Sequence, residues 1–261
     1  MTSHNLRTVL NLVLPLLQPV MGALAPVFGI GMTMGQMSAA SETPVTPAPY
    51  AFSIWAVIFT LAIAWGIWQA LPAGRDSVAA RRLGWPLAGA FACSNLWMLL
   101  AQLTDNGWHL VVVILLFLAC ALAAFFIARS EPRVGWPDVW IIAPLTGLMA
   151  GWVSAATFAN IAGAAVMSGA IAPDGAAGAL AAILILLAAG GFALGVLWVG
   201  RGAPWYAAAF CWALVAILYA NTIGRAFNPA VAAVTAGLLA LAVAISWQRA
   251  QADRRQRLTP V

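Results

Sequence analysis

The sequence predicts an all-α integral membrane protein with about eight transmembrane helices, and three observations carry that prediction. The first is composition: 64% of residues are apolar, only 7% are charged, and the mean hydropathy is +0.94. A soluble domain is about one quarter charged, so this chain lacks the polar surface that water requires. Disorder, a disulfide scaffold and nucleic-acid binding fall with the same numbers. The second is spacing. The charged residues leave eight charge-free stretches, at 8–41, 43–74, 83–104, 106–128, 139–173, 175–200, 202–224 and 226–248. About 20 apolar residues cross a hydrocarbon core of about 30 Å as a helix. Each stretch therefore holds one span, and none is long enough for two. Backbone in lipid must satisfy its own hydrogen bonds, which makes these spans helices.

The third observation is the placement of arginine. All twelve basic residues are Arg. With the N-terminus inside, Arg225 alone falls on an outer connection and the other eleven fall on inner ones. A missed or false span would scramble that alternation, so the bias supports both the helix count and cytoplasmic termini. Arg7, the apolar run after it and Ala23-Leu24-Ala25 resemble a signal peptide, but Pro26 would follow the scissile bond. An uncleaved first helix is the expectation.

Helix 1 is expected over about 8–36, with Pro15, Pro19 and Pro26 inside it. The first connection, Ser38 to Tyr50, contains Ser41-Glu42-Thr43-Pro44-Val45-Thr46-Pro47-Ala48-Pro49, which its prolines make extended and stiff. Helices 2 to 8 are expected near 51–72, 83–103, 108–128, 142–168, 178–199, 206–224 and 230–247. Thr104-Asp105-Asn106-Gly107 reads as a tight turn between helices 3 and 4. The basic tail, 249–261, suits adhesion to anionic lipid. Three GxxxG pairs, Gly31–Gly35, Gly147–Gly151 and Gly191–Gly195, suit close helix packing, with a dimer seam as the lesser reading.

Inside the expected spans there is no Asp, Glu, Lys or His, and His4 and His109 fall at membrane edges. Proton coupling, ion pumping and intramembrane hydrolysis usually use buried ionisable groups, so no classical enzyme activity is expected. Metal sites need clustered ligands; none is expected, and no cofactor is required. Cys93, Cys120 and Cys211 form no CxxC or CxxxC pattern and read as apolar packers. What remains is aromatic and amide chemistry. Of thirteen Trp, eight fall near helix ends as an interfacial belt. Trp55, Trp65, Trp97, Trp152 and Trp212 lie deeper, as packed core or pocket wall. Phe52, Trp55, Asn95, Trp97, Trp152 and Asn160 gather in the outer half under the proline-rich loop. Flat rings with a few amides suit an apolar planar ligand better than an ion or a sugar; the alternative is that the amides only bond across helices. Arg225 either snorkels to headgroups or pairs with a ligand carboxylate.

Pro49-Tyr50-Ala51-Phe52-Ser53-Ile54-Trp55 after a proline-rich loop, and Trp152-Val153-x-x-Ala156-x-x-x-Asn160 in helix 5, resemble the tryptophan-rich sensory protein (TspO/MBR, peripheral benzodiazepine receptor) family. Asn95 and Trp97 are similar to its third helix. The resemblance covers about residues 8–170. It implies a five-helix bundle whose first loop caps a pocket for porphyrins, sterols and synthetic aromatic ligands, lined by Trp152, Ala156 and Asn160, with Trp55 near the mouth. It also implies an optional porphyrin or haem-type ligand and a homodimer as one arrangement. This sequence departs from the family by lacking a Trp in the loop, which weighs against porphyrin breakdown. The expected organisation is then a TspO-like five-helix unit over 1–170, three further transmembrane helices over 171–248 and the tail. The expected function is a receptor or sensor for a tetrapyrrole- or sterol-like ligand in a bacterial inner membrane. A small-solute exporter and a membrane assembly subunit are its rivals.

Overall fold

A computed structural model describes residues 3–131, 135–225 and 227–258. Arg133 and the last three residues of the tail lie outside the described residues, as do the side chains of His4 and Arg257. Eight long helices, α1 (Ser3–Phe28), α2 (Ile54–Ala70), α3 (Val78–Leu103), α4 (Trp108–Ser130), α5 (Ala143–Met167), α6 (Gly175–Val199), α7 (Pro204–Tyr219) and α8 (Pro229–Leu258), account for the eight spans. No strand occurs among the described residues. Single π-helical turns precede α5 (Asp138–Ile142) and follow α7 (Ala220–Gly224).

The helices pack as two rings that share α5. Around the first ring the order is α1, α2, α5, α4, α3; around the second it is α5, α7, α8, α6. Membership of both rings explains why α5 is the most buried of the eight helices. Its small residues permit the double packing. A Cβ at Gly147 would meet the Trp205 Cβ at 2.6 Å, and one at Gly151 would collide with the Tyr206 carbonyl. Close backbone approach of this kind is how helices associate in lipid, where no hydrophobic drive separates one apolar surface from another. Tyr206 then donates from its hydroxyl to Ser154 Oγ at 2.8 Å, both side chains being buried.

Of the three GxxxG pairs, only Gly147–Gly151 makes such a contact. Gly191 and Gly195 have open space where a Cβ would stand. Gly31–Gly35 is not a helical pair, because α1 ends at Phe28 instead of near residue 36. Gly29 and Gly31 adopt positive φ, and the Met32 amide donates to the Gln102 carbonyl at 2.8 Å. A side chain at Gly31 would strike that carbonyl, so glycine is required there for both reasons. The chain re-enters a short helix, Met34–Ala40, capped by Thr33 and Gln36. The extended part of the first loop therefore begins at Ser41.

At the opposite end, α8 continues through the expected tail to Leu258. Arg249 lies 4.4 Å above the Trp198 ring and Arg201 pairs with Asp253 at 3.4 Å. The start of the tail is thus tied to the end of α6. Seven of the eight belt tryptophans are exposed; Trp68 is the exception, packed 5.6 Å from Trp65.

Candidate ligand chamber

The chamber is built where α2 and α5 face each other beneath the first loop. Pro49 starts a 3-10 turn, Pro49–Ser53, that turns Phe52 and Trp55 inward. Phe52 meets Trp152 edge-on at 6.1 Å, and Trp55 meets it edge-on at 6.2 Å. Trp55 also stacks on Phe117 of α4 at 6.3 Å. Such pairs add about 0.5–1.5 kcal/mol each beyond their buried area, which fixes the rings as walls. On the third side Trp97 of α3 donates from Nε1 to Asn160 Oδ1 at 3.1 Å, and Asn160 donates to the Ala156 carbonyl at 2.9 Å. Ala155, Ala156 and Ala159 leave the α5 wall flat.

Six of the eight residues expected from sequence meet in this one space: Phe52, Trp55, Trp97, Trp152, Ala156 and Asn160. Asn95 does not, and its placement is corrected. It stands two positions from Trp97, about 200° around a helix of 3.6 residues per turn. Its amide donates to the Leu14 carbonyl of α1 and the Phe91 carbonyl, both at 2.9 Å. Asn95 is a seam residue between α1 and α3. Three deeper indoles are likewise committed to structure or wall: Trp65 bonds Asn11 Oδ1 at 2.9 Å, Trp97 bonds Asn160, and Trp212 bonds the Ala51 carbonyl at 3.0 Å.

Arg225 is also corrected. It lies outside the chamber, beside a separate surface cleft with Glu42 and Asp174. Its Nη1 donates to the Thr43 carbonyl at 3.0 Å, its Nη2 to the Thr46 carbonyl, and it pairs with Glu42 at 2.9 Å. Burial lowers its pKa below the ordinary guanidinium value, and Glu42 opposes the shift. The guanidinium remains a cation and binds the loop through these three contacts.

Two contributions escaped the sequence reading. Asn106, read there as a turn residue, lines the chamber and donates to Ser41 Oγ at 2.7 Å. It fits because Gly163 opposite has no side chain; a Cβ there would collide with the Asn106 amide. The other is α7. Ala213 and Ile217 form part of the wall, and the Ala48 amide donates to the Ala216 carbonyl at 3.2 Å. The chamber is therefore not confined to residues 1–170. Only a spacing of helix contacts that no local pattern encodes would have shown this.

The space is a partly open cleft. Its cavity volume is about 60 Å³. No charged side chain among the described residues lines it. Two buried polar atoms on its wall have no hydrogen-bond partner among the described residues, Trp152 Nε1 and Asn106 Oδ1. No group of metal-ligating side chains occurs among the described residues.

The family described as TSPO-like protein matches residues 8–247, which takes in α6, α7 and most of α8 as well as the first five helices. No curated protein and no solved structure matches the chain. With eight membrane-spanning helices and a match over nearly the whole length, the chain is an integral membrane protein that belongs to the TSPO-like family.

Proposed function

We propose that this protein is a membrane receptor for an apolar planar ligand, captured in the chamber between α2, α3, α4, α5 and α7 beneath the first loop. The observation that carries the reading is the Trp152 indole, boxed edge-on by Phe52 and Trp55 in a space with no charged lining. Apolar walls with a few placed polar groups are what small flat molecules select. Binding alone is proposed, with no catalysis and no resident cofactor, in a bacterial inner membrane with both termini cytoplasmic. A tetrapyrrole is one candidate of the right shape. Space for about four water molecules, at ~15 Å³ of such volume each, admits little more than one ring. Larger ligands then require the loop to lift, with their carboxylates left at its edge.

The test is titration of the purified protein with protoporphyrin while Trp emission is followed. The expected result is strong quenching at micromolar ligand that falls in Trp152→Phe. Absence of quenching would remove tetrapyrroles as ligands.

A further inference from the structure

Cys93 and Cys120 meet across the seam between α3 and α4, outside the chamber. The two thiols share a hydrogen bond. Gly89 makes room for the contact: a Cβ there would stand 2.9 Å from Cys120 Sγ. Gly89 lies one helical turn before Cys93, and side chains on a helix lean back toward the preceding turn. Cys93 therefore leans over the notch that Cys120 occupies. Helix axes about 8–10 Å apart, with Cα atoms about 2.3 Å off each axis, bring facing Cα atoms into the range a disulfide spans, about 4.4–6.8 Å. Cys211, on α7, has no thiol partner among the described residues.

Both thiols of the pair lie near the bilayer midplane. Cys93 is ten residues before the end of α3 at Leu103, and Cys120 is twelve after the start of α4 at Trp108. At about 1.5 Å per residue those distances are roughly 15–18 Å, half of a hydrocarbon core of about 30 Å. The pair is half-buried, and Leu96 and Leu116, one turn away on the same two helices, are exposed to lipid. A thiolate at this depth would be an unpaired charge in hydrocarbon. A reagent for these thiols must arrive through lipid and take their protons together with their electrons.

We propose that Cys93 and Cys120 form a redox-active dithiol, which a lipid-soluble quinone oxidises to a disulfide joining α3 to α4. One S–H adds to a quinone carbonyl, its sulfur bonding the carbon and its proton going to the oxygen. The second sulfur attacks the first, as in thiol–disulfide exchange. The S–S bond forms, the C–S electron pair returns to the ring, and the second proton goes to the other oxygen. Two thiols thereby lose two electrons and two protons, and the quinone becomes the hydroquinone. Trp97 and Phe117 of the chamber wall are one turn away on the same helices, so the disulfide fixes the seam behind that wall.

The test treats the reduced full-length protein, in phosphatidylcholine vesicles, with decylubiquinone, whose ring carbons are all substituted and closed to thiol addition. The expected result is loss of two of the three thiols, release of one quinol per protein, and a peptide pair joined through Cys93 and Cys120. Cys211→Ser gives the same yield, whereas Cys93→Ser and Cys120→Ser release no quinol. Persistence of all three thiols, a disulfide between two protein molecules, or quinol release from either of those last two variants overturns the proposal. Peptide mapping of the unaltered protein decides the matter even where a variant fails to fold.

Discussion

The side-chain amide of Asn221, in the π-helical turn that follows α7, donates to the carbonyl of Pro44 in the first loop at 2.7 Å. Pro44 belongs to a segment whose prolines remove the amides that would otherwise hold it to itself. Beside one internal bond, from the Thr46 amide to the Thr43 carbonyl at 2.9 Å, its carbonyls accept from the turn that follows α7. Asn221 and Arg225 together reach Thr43, Pro44 and Thr46, and Trp212 reaches Ala51 just beyond. The later helices therefore hold the cover of the chamber that the earlier ones build.

Loosening that hold is the first expectation. Asn221→Ala and Arg225→Gln each remove one clasp, worth about 1 kcal/mol in a membrane bundle. Amide hydrogen exchange at Thr43, Thr46 and Ala48 accelerates roughly fivefold in each variant, by the relation of about 1.4 kcal/mol per factor of ten. Exchange in α4, remote from the clasp, stays unchanged. Equal acceleration throughout the protein would mean that these residues support the whole fold instead of the loop.

Glycine substitutions separate packed from unpacked positions. Gly163→Ala collides with Asn106, and Gly151→Ala with the Tyr206 carbonyl. Each lowers stability by about 1–3 kcal/mol. Gly191→Ala meets nothing and is neutral or slightly stabilising, since alanine favours the helix. Thermal unfolding in detergent reads all three. A large loss at Gly191 would reveal a contact with another molecule at that face.

An asymmetry is expected at the α5–α7 contact. Ser154→Ala leaves the Tyr206 hydroxyl buried and unpaired, costing about 1–3 kcal/mol. Tyr206→Phe removes the hydroxyl itself, while Ser154 keeps its bond to the Ala150 carbonyl at 2.7 Å. Its cost stays near 1 kcal/mol. The same melting experiment ranks the two variants, and the reverse order would contradict the hydrogen bond.

The span count and the aromatic box were legible in the sequence for the same reason: both depend on costs that act locally. An arginine in hydrocarbon is expensive wherever its neighbours are, so charges marked every crossing. Trp152, Ala156 and Asn160 share one face of α5 by helical spacing, while depth in the bilayer and the family resemblance, which alone supplied Ala156, set Phe52 and Trp55 beside them. Asn95 was misplaced because depth was read without azimuth, and two positions on a helix face opposite ways. Arg225 looked free only because the loop carbonyls it serves are about 180 residues away. The end of α1 was hidden by an apolar run that continues past Gly29, where backbone sign and not hydropathy stops the helix. Packing of α7 on the loop depends on which faces meet across 160 or more residues, and hydropathy carries no record of that.

Photolabelling tests the chamber most directly. Benzophenone is a neutral diaryl ketone that inserts into adjacent C–H bonds on irradiation, and mass spectrometry locates the adducts. Labelling confined to residues that line the chamber, within 37–47, 52–55, 97, 106, 114–117, 152–160 and 213–217, and suppressed by excess protoporphyrin, is the predicted result. Adducts spread over the lipid-facing sides of α1, α6 and α8, and indifferent to the competitor, would contradict it.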